Sequence, residues 1–152
     1  MKPLIVLIVT FILSLVISWF TMGEWHLTFA GNVAMCCMLF LTAIGHFKFT
    51  KGMVMMLPPV IPFKKAVVYV SGVVEVVLGI MLLLPSVRNI AGNLLIILFI
   101  ILLPANIYAA RTRLDMEKAN FEGPGPEYLY FRLPLQLLFI GWVFYFSTGW
   151  FR

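Results

Sequence analysis

The chain has 152 residues, 62% of them hydrophobic and 11% charged, with a net charge of +5. A soluble domain of this size needs a charged shell that this composition cannot supply. The sequence therefore reads as a small all-α polytopic membrane protein, a single membrane domain over 1–152. Nucleic acid is excluded as a partner, because the basic residues fall between apolar runs and mark topology instead.

Five apolar runs follow one another: Pro3 to Phe20, Ala30 to Phe47, Ala66 to Leu84, Ile90 to Ala110, and Leu133 to Phe146. About 20 apolar residues cross a bilayer as a helix. The last run is short, but Trp142, Tyr145 and Trp150, with Tyr128 and Tyr130 before it, supply aromatics of the kind that settle at membrane interfaces. Lys2 precedes the first run as in a signal peptide. However, Ser18-Trp19-Phe20 is too bulky for a cleavage site and the run exceeds a usual signal core, so it is expected to remain as a helix.

In the second run Cys36 and Cys37 are adjacent. Neighbouring cysteines bridge only with strain, and two small apolar packing residues are expected there. No metal-ligand spacing, haem-attachment signature or phosphate-binding glycine loop occurs.

Five spans put the N-terminus, the loop Lys48 to Lys65 and the loop Arg111 to Arg132 on one side. That side carries Lys2, Lys48, Lys51, Lys64, Lys65, Arg111, Arg113, Lys118 and Arg132, against Arg88 and Arg152 opposite. Basic residues of short loops stay cytoplasmic, so the N-terminus is expected inside and the C-terminus outside, in a bacterial inner membrane. Pro85 to Asn89 reads as a tight outer turn that makes the third and fourth spans antiparallel neighbours. Arg111 to Arg132, with Gly-Pro-Gly-Pro at 123–126, reads as a solvated connector. In the other inner loop, Met53 to Leu57 is apolar but too short to cross, and Pro58, Pro59 and Pro62 favour stiff, extended backbone. This segment is expected to lie at the interface or to cap the bundle, with Met55 and Met56 lining a lid over an apolar ligand.

Within the spans one residue stands out. Glu75 is the tenth of the nineteen residues from Ala66 to Leu84, and the other eighteen are uncharged. An ionised carboxylate at that depth costs at least a few kcal/mol, so it persists when neutral, paired or facing a cavity, and marks a functional site. His46, Asn106 and Gln136 each lie within about 8 Å of the basic residue that ends their own helix, at 1.5 Å per residue. Four helices thus bring polar groups to the cytoplasmic half, with Glu75 the deepest and His46 or Arg132 its candidate partner. Ser71 lies one turn below Glu75 on the same face, and Tyr69 joins the expected binding set. Gly72 and Gly79, at i−3 and i+4 from Glu75, form a small-residue stripe that lets a helix approach closely. Pro104 is expected to free a carbonyl near Asn106 and bend the fourth span, and Pro134 to sit harmlessly in the first turn of the fifth.

These blocks resemble the DoxX-like family of membrane proteins. The likeness runs from about Gly45 to Trp142 through Gly45-His46-Phe47, Met56-Leu57-Pro58-Pro59-Val60-Ile61-Pro62 and Val68-Tyr69-Val70-Ser71-Gly72-Val73-Val74-Glu75. It continues through Leu78-Gly79-Ile80, Pro104-Ala105-Asn106-Ile107-Tyr108 and Arg132-Leu133-Pro134-Leu135-Gln136. The resemblance implies a four-helix membrane bundle over about 30–147, to which the helix 3–20 is extra. The family's characteristic residues map onto His46, Pro58, Pro59, Glu75, Asn106 and Gln136. Its members include a membrane subunit associated with thiosulfate and quinone oxidation and a distant assembly chaperone for nicotinic receptors. No cysteine or cluster of basic residues marks the outer face here, which weakens a thiosulfate-oxidising role.

Three functions compete. The first is a bundle binding a quinone or lipid in a cytoplasm-facing cavity, a candidate subunit of a redox-linked complex whose electrons come from a partner oxidoreductase. The second is a non-enzymatic assembly protein whose glycine stripe docks a partner helix. The third is a proton-coupled transporter built as a homo-oligomer around Glu75. No catalytic residue or metal is assigned, membrane lipids are the expected surroundings, and a quinone is the one cofactor candidate.

Overall fold

The computed structural model describes residues 2–123 and 125–148. Pro124, Trp150, Arg152 and the Tyr128 side chain lie outside what is described. Among the described residues there are six helices: α1 Lys2–Met22, α2 Leu27–Lys48, α3 Thr50–Met56, α4 Lys64–Leu83, α5 Arg88–Arg111 and α6 Glu127–Ser147. All but α3 are long and apolar enough to cross a membrane. Among the described residues there is no strand, only an isolated bridge between Asp115 and Asn120.

The long helices pack as α1 on α2, α2 on α4 and α6, α4 on α5, and α5 on α6. Their shared core holds Met35, Met38 and Leu39 of α2, Leu82 of α4, Leu95 of α5 and Val143 of α6, each essentially fully buried. Leu7 brings α1 into the same core, and Phe11 meets the Trp142 ring edge-on at 5.0 Å. The outward faces stay apolar, with Ile12, Val73, Ile97 and Leu137 all exposed. Such apolar outward faces are compatible with a bundle that sits in a membrane, by length and composition.

The far end of the bundle, away from the lysines, is stapled by polar groups. Ser147 Oγ donates to Asn32 Oδ1 at 2.7 Å, Asn32 Nδ2 donates to the Phe146 carbonyl at 3.1 Å, and Trp142 Nε1 donates to the Gly31 carbonyl at 3.0 Å. At the basic end, Lys2 pairs with Glu117 at 3.0 Å. The start of α1 and the α5–α6 loop therefore lie on one side, as five spans require.

Four expectations are corrected here. Thr50 to Met56 is helical rather than part of an extended loop, because the prolines begin only at Pro58 and leave a full turn free before them. The prolines then form a turn, closed by Ile61 N–H donating to the Pro58 carbonyl at 3.1 Å, with Pro59 at the position where its fixed φ is favoured. The last helix starts at Glu127, not Leu133, so Pro134 lies in its interior and not in its first turn. The α5–α6 loop is folded, not a plain connector. Asp115 Oδ1 accepts from the Glu117 and Lys118 amides, and Gly52 of α3 lies so close to the Met116 carbonyl that a Cβ there would collide with its oxygen.

Candidate functional site

The carboxyl of Glu75 and the imidazole of His46 meet between α4 and α2, His46 Nε2 lying 3.4 Å from Glu75 Oε1. Both are buried, with 4% and 8% of their surfaces exposed. Thr42 Oγ1 donates to Glu75 Oε2 at 2.7 Å. On the other ring edge, His46 Nδ1 lies 3.0 Å from the Val68 carbonyl oxygen and 3.1 Å from Ser71 Oγ, while Ser71 Oγ donates to that same carbonyl at 2.9 Å.

This arrangement bears on the tautomer of the ring. A carbonyl oxygen only accepts, so the bond to Val68 requires a proton on Nδ1. That leaves Nε2 as the ring nitrogen facing Glu75 Oε1. A single proton shared by these two atoms would make the pair net neutral. Neutrality is what a hydrocarbon setting demands of buried ionisable groups.

Local packing explains why the ring sits here. A Cβ on Gly72 would approach the His46 Cβ to 2.9 Å and its Cγ to 3.2 Å, so the absent side chain is the seat of the imidazole. Gly79, two turns on, faces Leu39 and Cys36 of α2 at ordinary contact distances. The glycine stripe is therefore occupied by α2 of the same chain and is not a free dock for a partner helix. Cys36 is buried in that contact, as packing residues are, while Cys37 is exposed.

Asn106 and Gln136 form a second set between α5 and α6. Asn106 Nδ2 donates to Gln136 Oε1 at 2.9 Å, and Gln136 Nε2 donates to the Phe99 carbonyl. That carbonyl neighbours the one at Ile100, which Pro104 leaves without its helical partner. The two polar sets flank a cluster of Leu57, Val68 and Ala105 with Met53, Val54 and Ile61 packed on it. The expected four-helix track is thus two adjacent pairs, one on each side of the α4–α5 contact.

The remaining expected residues do not form a lid over Glu75. Met56 packs with Ala109 and Leu114, and Met55 and Met116 cover them, so the methionines cap the end of α5 near Asn106. Tyr69 is exposed and lies against the exposed Phe47 of α2, ring centroids 5.6 Å apart, on the outer side of the α2–α4 contact and not at the buried pair. Arg132 is half-buried within α6, and it is His46 that meets Glu75. Thr42 did not stand out in the sequence, although its place four residues before His46 on one helix face was a usable signal. Asn32 did not stand out either. Two surface grooves lie away from the pair, one lined by Trp25, His26, Thr28 and Arg88 at the far end, the other by Val54, Phe63 and Lys65 at the basic end.

The model of a family described as a domain of unknown function, DUF8561, matches residues 35–147. The chain belongs to this family. The DUF8561 region takes in α3 to α6 and the second half of α2, and so contains both polar sets, while α1 precedes it. No curated protein and no solved structure matches the chain.

Proposed function

We propose that this DUF8561 protein is a DoxX-like bundle of α2, α4, α5 and α6, with α1 added, that spans a bacterial inner membrane with its N-terminus in the cytoplasm. Its role is to bind an amphipathic ligand, a quinone or a lipid, whose polar head meets the His46–Glu75 pair. The observation that carries this reading is the buried contact of His46 Nε2 with Glu75 Oε1 at 3.4 Å, two groups able to hold and pass a proton. Such a pair can give or take one proton at a ligand oxygen, the task general acid–base groups perform. Ser71 and Thr42 hold its two outer edges, and the surrounding wall is apolar, as ligand sites between bundle helices usually are.

A bound quinone would supply the redox chemistry, with electrons from a partner oxidoreductase. The chain's own residues hold the proton, keep water out and fix the ring. A second reading, an assembly protein without turnover, is favoured by one specific observation: no buried polar side-chain atom among the described residues lacks a hydrogen-bond partner.

The test is organic extraction of the full-length protein purified in mild detergent, followed by mass spectrometry. The wild type is expected to carry a quinone or a defined lipid through detergent exchange, and Glu75→Ala to lose it. A wild type that carries neither, or a variant that retains the same molecule equally well, would overturn the ligand reading.

A further inference from the structure

The groove at the basic end lies between α3 and the start of α4, has a volume of about 400 Å³ and is lined by Val54, Phe63, Lys64, Lys65 and Ala66. Its wall combines three apolar side chains with the stems of two lysines, whose methylenes cover apolar surface while the ammonium stays in a polar layer. Lys64 Nζ donates to the Leu57 carbonyl at 2.8 Å, which holds it at the rim. An ammonium carries three donors, so that bond does not exhaust it. Lys51 lies three residues before Val54 on α3 and shares its face. The segment from Lys48 to Lys65 contains four lysines, one ending α2, one in α3 and two opening α4, with no acidic residue.

Phe63 adds an independent observation. Its φ of 49° and ψ of 40° are left-handed, a conformation rarely adopted by a bulky residue. The side chain it presents is 86% exposed, and nearby Val60 is 89% exposed. A strained backbone that holds a phenyl ring outward beside lysines, where a membrane helix begins, suits the boundary between headgroups and acyl chains.

We propose that this groove binds an anionic phospholipid, its phosphate on Lys64, Lys65 and Lys51 and an acyl chain along Val54, Phe63 and Ala66. The site is separate from the His46–Glu75 pair and does not depend on the function proposed for it. Charge complementarity selects the anionic headgroup, and the apolar wall selects a lipid over a free phosphate.

The test is a titration of the purified full-length protein, read by thermal melting in detergent. Phosphatidylglycerol is expected to stabilise it more than phosphatidylcholine does, and glycerol phosphate not at all. Lys65→Gln should weaken the apparent affinity for phosphatidylglycerol about fivefold, the usual contribution of one basic residue near an anionic surface. Phe63→Gly accepts the left-handed backbone without strain. It should melt at or above the wild type without lipid, yet gain less stability from phosphatidylglycerol. Equal stabilisation by both lipids, an equal response to glycerol phosphate, an affinity unchanged by Lys65→Gln, or an undiminished response in Phe63→Gly would overturn the proposal.

Discussion

At the scale of single residues, the ring of His46 decides how the site works. The Val68 carbonyl demands a proton on Nδ1, which commits the other nitrogen to Glu75. Nitrogen-15 spectra of histidine-labelled protein are expected to show Nδ1 of His46 protonated at neutral pH. A bare Nδ1, with the proton on Nε2 alone, would remove the basis for a single proton shared with Glu75. That Glu75 would be buried against a polar partner was legible in the sequence, because the desolvation cost of a mid-span carboxyl needs no structure to estimate. The role of Thr42 was not: hydroxyls within spans normally bond back to their own helix, and Thr42 also does so to the Leu39 carbonyl at 2.9 Å. Only the crossing of α2 over α4 shows that its oxygen also reaches Glu75.

At the scale of helices, the α2–α4 seam carries the site, and its two glycines are not equivalent. A methyl at position 72 would press on the His46 Cβ at 2.9 Å, whereas one at position 79 meets only ordinary contacts of 3.5 Å and beyond. Gly72→Ala is therefore expected to destabilise the protein in thermal melts by about 1–3 kcal/mol, the usual cost of overpacking, and Gly79→Ala to melt close to the wild type. Equal melting of the two variants would mean that the seam does not hold the ring as described. The five long helices were legible because an uncharged apolar run as long as a bilayer is thick is hard to bury in any other way. The short helix α3 was not, because seven residues give too little periodicity, and the nearby prolines pointed to extended chain. The start of α6 was placed late for a related reason: Tyr130 and Arg132 read as interfacial residues, yet the helix continues through that layer from Glu127.

At the scale of the whole molecule, one end gathers Lys2, the lysines around α3 and the folded α5–α6 loop, which the Lys2–Glu117 pair ties together. The methionines of α3 pack on Leu114 and Met116 of that loop. The sequence could not show this, since the contact joins segments some sixty residues apart. Both grooves, both polar sets and the basic rim take their meaning from the direction in which the bundle crosses the membrane. In the proposed orientation, with this end in the cytoplasm, the His46–Glu75 pair would lie in the inner half of the bilayer and the lysine-lined groove would face the inner leaflet. The most direct measurement is a pair of topology reporters in the intact chain, one inserted at Gly123 and one fused after Arg152. A cytoplasmic signal is expected from the first and an external signal from the second. A cytoplasmic signal after Arg152 would contradict five crossings in this direction.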